Sequence, residues 1–341
     1  VAAQVVSAAG TDLIPVTILT GFLGAGKTTL LASLLKRPAF ARTAVIINEF
    51  GETGLDHDLV RAETDCRVTL LESGCVCCSL RSDLTDTLRD LFRQRVLMKI
   101  PAFERVVIET TGLADPLPIL NALQADPVTA VRFRLDGVVT VVDALEGDAQ
   151  MDVHPEAVRQ AAMADRLILA KTDLANAEAV ARLKARLAAL NPGVTPVVAR
   201  RGAVEPEAVF GPAPGAPPWL HATQAEAAAQ DHDHHHDHDH RHDHGIASFT
   251  LPLPGPHAWD RVAAAFETLL AAHGDRILRL KGMIEILGEP LPVVIHGVGH
   301  TLYPTDTLPA WPAGNPRGWI VFITQDLDKE TVAALLAEKL G

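Results

Sequence analysis

An α/β domain with a mostly parallel sheet, followed by a smaller α+β C-terminal domain, is the fold that this sequence of 341 residues predicts. Three observations carry the prediction. From Pro15 to about Arg200, short β-branched runs alternate with longer helical stretches. Most of these runs are apolar throughout rather than alternating, as strands buried on both faces of a parallel sheet are. A segment without any core-forming pattern then intervenes, and strands and helices resume at Ile246.

In chain order, strands are read at Val16–Thr20, Ala44–Asn48, Arg105–Glu109, Gly137–Val142, Leu167–Ala170 and Thr195–Val198. Helices are expected at Lys27–Lys36, near Leu117–Gln124, at Glu156–Ala164 and at Ala175–Leu190. Such alternation places helices on both faces of one parallel sheet. Composition shifts at about Gly202. Residues 203–220 are rich in Pro, Gly and Ala, and residues 221–245 turn polar, which reads as a linker or long surface loop. Beyond it come a strand at Ser248–Leu253, a helix at Ala258–Ala272, and strands at Ile277–Leu280, Met283–Leu287, Val293–His296 and Trp319–Thr324. A last helix spans Lys329–Leu340. The domains are therefore placed at 1–201, 202–245 and 246–341, with no internal repeat.

Apolar residues make up 48% of the chain and charged residues 21%, enough to build a sizeable core. The net charge of −12, without a Lys/Arg cluster, disfavours nucleic acid and anionic membrane as partners. Uninterrupted apolar runs of about 18 residues are missing, so no membrane span is expected. The N-terminus has no basic region, and Asp12 interrupts its apolar run, so it does not read as a signal peptide. Three of the four cysteines crowd into Cys75-Val76-Cys77-Cys78. Cysteines so close cannot form a disulfide framework for this chain; they read as a reduced, metal-binding or redox group and imply a cytoplasmic setting.

Gly21-Phe-Leu-Gly-Ala-Gly26-Lys27-Thr28 matches the phosphate-binding P-loop pattern and lies between an expected strand and an expected helix. Glycines let the backbone wrap a phosphate chain and aim N–H groups at it, and the helix N-terminus adds partial positive charge. Gly21, Gly24, Ala25, Gly26, Lys27, Thr28 and Thr29 are the candidate nucleotide-binding residues here, with Lys27 reaching the β and γ phosphates and Thr28 offering its hydroxyl to Mg²⁺. The bland alternative is a Gly-rich turn with a surface lysine. With this motif the first domain reads as a P-loop NTPase.

Two further motifs follow in order. Val106-Val-Ile-Glu109-Thr-Thr-Gly112 ends an expected strand. A carboxylate at Glu109 would serve Mg²⁺, and Gly112 would let its N–H approach the γ-phosphate. Ala170-Lys171-Thr172-Asp173 follows a later strand, with Lys171 placed to stack on a base and Asp173 to pair with the guanine N1 and N2 donors. The usual guanine-reading form begins with Asn, where this chain has Ala170, which removes one purine contact. The alternative for Thr172 or Asp173 is a helix N-cap.

Three thiolates within Gly74-Cys75-Val76-Cys77-Cys78-Ser79 can converge on one soft or borderline ion, with Zn²⁺ the default. An incomplete shell suits an ion that must be released; a redox or structural cluster is the alternative. Cys66 stands apart and reads as a buried small residue. The cluster lies between Asn48-Glu-Phe-Gly-Glu52 and Glu109–Gly112, both expected to face the γ-phosphate, so metal affinity is expected to follow the nucleotide state. The Asp/His tract contributes His232, His234, His235, His236, His238, His240, His242 and His244 as candidate ligands. Neutral imidazoles bind Zn, Ni, Co and Cu, and interleaved Asp raises their basicity. A purification tag or a solvated run is the alternative. His57, His154, His221, His257, His273, His296 and His300 are single and read as surface or satisfied core residues, His296 and His300 being the best of a weak set.

These motifs together resemble the CobW-type metallochaperone GTPases, part of a wider group of metal-insertion GTPases with Glu in the Walker B position. The resemblance extends to Ile14-Pro-Val-Thr-Ile-Leu before the P-loop and to Arg279-Leu-Lys-Gly282 and Leu308-Pro-Ala-Trp-Pro312 in the second domain. It implies a carrier that hydrolyses GTP with Mg²⁺ and transports Zn²⁺, with Co²⁺ the alternative, to a client the sequence does not name. Cys75, Cys77 and Cys78 would bind the transported metal. Lys27, Thr28, Glu109 and Glu49 are the catalytic candidates, Glu49 or Glu52 being placed to orient water or the ion. No arginine finger is evident in the chain, so slow intrinsic turnover is expected. Two rivals remain: a non-enzymatic metal buffer, which measurable turnover would dismiss, and a P-loop kinase for a small molecule, which ATP-against-GTP competition would separate.

Overall fold

The computed structural model describes residues 13–40, 42–47, 68–70, 80–192, 194–210, 244–303, 305–312 and 317–340. They fall into two compact units, one drawn mainly from Asp12–Ala188 and Val194–Pro214, the other mainly from Gly215–Gly341.

The first unit is built on seven strands: β1 (Ile14–Thr20), β2 (Thr43–Ile47), β3 (Val68–Leu70), β4 (Arg105–Glu109), β5 (Phe133–Asp143), β6 (Arg166–Ala170) and β7 (Val197–Val198). Their order in the sheet is β3-β2-β4-β1-β5-β6-β7, and every pairing is parallel. The helices are α1 (Lys27–Leu35), α2 (Leu80–Val96), α3 (Pro116–Ala125), α4 (Pro127–Ala130), α5 (Gly147–Val153), α6 (Pro155–Ala162) and α7 (Ala177–Leu190). The strands are near-continuous Val/Ile/Leu runs because helices cover both faces: β2 is buried at every position, and β4 at all but its first.

Most expected elements appear within a few residues. Helix α2 is not among them, although Leu84, Leu88 and Leu91 form a buried stripe at helical spacing beneath a charged face. Its Arg89 pairs with Asp126, the cap of α4. Burial alone would raise the Asp126 carboxyl, but bonds from Thr129 and Arg89 outweigh it and hold the group below the usual carboxylate range.

Part of the stretch that reads as a linker is packed instead. Residues 203–210 belong to the first unit, where Val204, Val209 and Phe210 join Leu31, Leu34 and Phe40 in the core. Phe210 lies edge-on to Phe40, 4.9 Å between centroids. Burying side chains of this size contributes about 1.5–3 kcal/mol each, which outweighs the Pro/Gly/Ala composition that suggested a linker.

The second unit holds β8 (Ile246–Pro252), α8 (Trp259–His273), β9 (Ile277–Ile284), β10 (Val293–Val298), β11 (Thr301–Leu302), β12 (Asp306–Thr307), β13 (Trp319–Gln325) and α9 (Lys329–Leu340). Its six-stranded antiparallel sheet runs β11-β10-β9-β13-β8, with β12 also on β10. The core under the helices gathers Phe266, Leu269, Leu280, Ile320, Phe322 and Val332. Two strands were expected where β9 is one. Gly282 does not break it; a Cβ there would lie 2.1 Å from Trp319 O, so the glycine admits the close approach of β13. Among the described residues no helix is long and apolar enough to cross a membrane.

Candidate functional site

The three nucleotide motifs leave the sheet at the carboxyl ends of β1, β4 and β6, with β5 between β1 and β6. Strand β1 lies between β4 and β5, with Leu19 opposite Glu109, and β5 brings Asp143 opposite Ala170 of β6. A crevice outside the carboxyl ends of parallel strands is where such sheets bind ligands.

Backbone geometry in the loop after β1 requires its glycines. Gly21 has φ 142°, and a Cβ on it would sit 2.2 Å from Val141 O of β5. Gly26 has φ 98° and caps α1, whose first turn holds no acidic residue, so the helix N-terminus keeps its positive character. Ala25 is buried, while Gly24 and Thr29 are exposed and Lys27 and Thr28 half-buried. The Lys27 ammonium curls over its own loop, donating to Gly21 O at 2.9 Å and Phe22 O at 3.3 Å.

Thr28 donates its hydroxyl to Glu109 Oε1 at 2.6 Å, and Glu109 is 4% exposed. These are hard oxygen donors, the kind that Mg²⁺ takes, and they meet at the first turn of the helix beneath the phosphate loop; the residues fit that ion. Thr110 fixes the segment after Glu109, its N–H donating to Leu19 O at 3.0 Å and its hydroxyl to Thr20 Oγ1 at 2.8 Å. Gly112 then passes so close to the loop that a Cβ would stand 2.6 Å from Leu23 N.

On the other side of β1, Lys171 adopts a left-handed backbone with φ 56°, and its ammonium meets Asp143 Oδ2 at 2.6 Å. Asp143 is 2% exposed and also accepts from Leu145 N at 2.9 Å. Asp173 is exposed and does not cap the following helix: Asn176 does, accepting from Ala179 N at 2.7 Å. The cap alternative for Thr172 and Asp173 is thereby removed. Ala170, where a guanine-reading motif has Asn, turns its methyl toward Gly26, 3.9 Å from where a Cβ on that glycine would stand.

Sequence reasoning missed two residues at this edge. Asp143 carries the signal Glu109 carries, an acid closing an apolar strand. Gln160 is buried in α6 among Ala157, Val158, Ala161 and Ala162, a lone polar residue on an apolar face, and its amide reaches the Gly112 segment.

Glu49, Glu52, Cys66, Cys75, Cys77, Cys78 and His232 to His242 lie outside the described residues. Of the tract, His244 is described, half-buried in the turn entering β8, with its carbonyl accepting from Gln325 Nε2 at 3.4 Å. Among the described residues no group of three or more His, Cys, Asp or Glu side chains is placed to hold a metal. His300 is engaged structurally, with Nδ1 2.8 Å from Leu270 O and Nε2 2.9 Å from Asp275 Oδ1, and His296 packs on Tyr303.

Residues 15–198 match the model of the CobW/HypB/UreG nucleotide-binding domain, and residues 246–340 that of the cobalamin synthesis protein cobW C-terminal domain. The zinc chaperone YjiA of Escherichia coli (strain K12) is 36% identical, the match covering 95% of this chain and 98% of that one. The zinc chaperone CobW of Pseudomonas aeruginosa is 34% identical over 96% of this chain and 92% of its own. The crystal structure of the Zn(II)-bound YjiA GTPase from E. coli superimposes with a TM-score of 0.71 at 30% identity, covering 96% of this chain and 99% of that one.

Proposed function

Because the chain belongs to the CobW/HypB/UreG family of metallochaperones and is a P-loop GTPase, we propose that it binds zinc through Cys75, Cys77 and Cys78 and passes it to a client protein under the control of GTP hydrolysis. The observation that carries the hydrolytic half is the 2.6 Å contact of Thr28 with buried Glu109 at the phosphate loop. The loop amides and Lys27 hold the β and γ phosphates, whose oxygens take the place of Gly21 O and Phe22 O on the ammonium. Thr28 and Glu109 would hold Mg²⁺, which supplies neutralisation of charge shared between those phosphates. Gly112 brings its N–H to the γ-phosphate, and water attacks phosphorus while the bond to the β-phosphate oxygen breaks, yielding GDP and phosphate. Lys171, steadied by Asp143, stacks on the base, and exposed Asp173 reads the guanine edge. Glu49 or Glu52 orients the water or the ion.

Support for zinc as cargo comes from the donor set, three thiolates suited to a borderline ion, and from two relatives named zinc chaperones. The Asp/His tract, His232 to His244, gathers metal without selecting one ion. A cytoplasmic, reducing setting belongs to the proposal, since the thiols must stay reduced to bind.

The test is Zn²⁺ affinity by chelator competition in apo, GDP and non-hydrolysable GTP analogue states, for the wild type and a Cys75/Cys77/Cys78→Ser variant, both lacking residues 231–244. Nucleotide-dependent affinity, lost in the variant, is the expected result. Tight binding that ignores the nucleotide would reduce the cysteines to a storage or structural site and end the coupled-delivery reading. A parallel titration with Co²⁺ decides the metal.

A further inference from the structure

Helix α6 touches both loops that surround the phosphates. At its N-terminal end the His154 ring stacks on Phe22 of the phosphate loop, centroids 4.6 Å apart. Further along, Arg159 pairs with Asp115, and the Gln160 amide donates to Gly112 O at 3.1 Å and to Ala114 O at 2.9 Å. Both partners are carbonyls, so the amide can face only one way: turned over, its oxygen would oppose two oxygens. Gln160 is 1% exposed, and its backbone carbonyl accepts from the Thr140 hydroxyl at 2.7 Å, which ties the residue to β5. Its Oε1 meets no donor among the described residues. A buried glutamine that leaves one acceptor unmatched is a poor choice for stability alone. Its two donated bonds go to the segment whose glycine touches the phosphate loop.

We propose that Gln160 is a positioning residue for GTP hydrolysis, holding the Gly112–Ala114 segment where the Gly112 N–H meets the γ-phosphate. The proposal rests on the reading that Gly112 faces the γ-phosphate. GDP lacks that phosphate, so the anchor counts in the triphosphate state and during its cleavage, and not in the product state. Arg159, through Asp115, holds the far end of the same segment.

Gln160→Met keeps about the same volume and removes the donor. GTP turnover is expected to fall about tenfold, with a similar loss of affinity for a non-hydrolysable GTP analogue. GDP affinity is expected to stay within about twofold of the wild type on the same reasoning. A merely structural role would weaken GDP and the analogue alike. Equal losses for the two nucleotides, or wild-type turnover in the folded variant, would overturn the proposal. Gln160→Asn, which keeps the amide but shortens its reach, is measured in the same way if the methionine variant does not fold. Failure of both to fold would assign the amide a structural role and also overturn it. A wild type that does not hydrolyse GTP would sink the hydrolase reading before any variant is compared, whereas active wild type matched by an equally active Gln160→Met sinks this proposal alone.

Discussion

Replacing Gly112 by alanine adds one methyl group where the phosphate loop leaves no room for it. The new Cβ would stand 2.6 Å from Leu23 N and Leu23 Cδ2 and 2.7 Å from Leu23 Cα. Carbon contacts settle at about 3.5–4.0 Å, so the shortfall is about 1 Å. The Leu23 side chain is 52% exposed and can turn away. Its N and Cα are loop backbone and can move only if the phosphate loop or the Gly112 segment retreats. Overpacking of this kind costs about 1–3 kcal/mol, a drop in Tm of about 2–12 °C for a domain of this size. Catalysis suffers more, because a displacement of about 1 Å at the reacting groups is worth on the order of 100-fold. Steady-state phosphate release from GTP, run beside thermal unfolding and GDP titration, reads all three quantities. The expected variant is folded, binds GDP with a smaller loss, and turns over about 100-fold more slowly. Wild-type kcat in a folded Gly112→Ala protein would show that the close approach is not kept in the reacting complex, and the role given to Gly112 would be wrong.

Two further outcomes follow from the same edge of the sheet. Thr28→Ala removes the hydroxyl that meets Glu109; phosphate release should fall to background while chelator competition shows unchanged zinc binding, and normal turnover would remove Thr28 from the ion's shell. Asp143→Asn keeps an acceptor for Leu145 N but takes the charge from the buried partner of Lys171. GTP and GDP should both bind about tenfold or more weakly, since hydrogen bonds to charged groups contribute about 1.5–3 kcal/mol, with kcat little changed; unaltered nucleotide affinity would leave the Lys171–Asp143 pair without a part in base stacking.

Much of the fold was legible because its signals are local. Strand β4 and helix α9 have the expected bounds, and β1, β6, β13 and α8 lie within two residues of them. Each is a continuous apolar run or a helical stripe with clear ends. The phosphate loop was legible for the same reason: its glycines, lysine and threonine are contiguous, and each φ it needs is written in its own residue. Helix α2 carried a readable stripe beneath its arginines and aspartates, so its omission is a missed pattern and not a silent one. Residues 203–210 are different, because their composition points to a linker and their burial comes from Phe40, far away in the chain.

Local pattern accounts for the residue types and for the strands that carry them to one edge. It does not contain the order β3-β2-β4-β1-β5-β6-β7, and the order is what makes the site. Thr28 meets Glu109 across 81 residues because β4 pairs with β1, and Lys171 meets Asp143 across 28 because β6 pairs with β5. Gln160 reaches Gly112 across 48 residues because α6 packs where it can touch the loop after β4. In the sequence, Asp143 and Gln160 are an acid at a strand end and a glutamine among alanines. They gain partners from strand register and helix packing, which arise from burial summed over the whole sheet, and no window of neighbouring residues holds that sum.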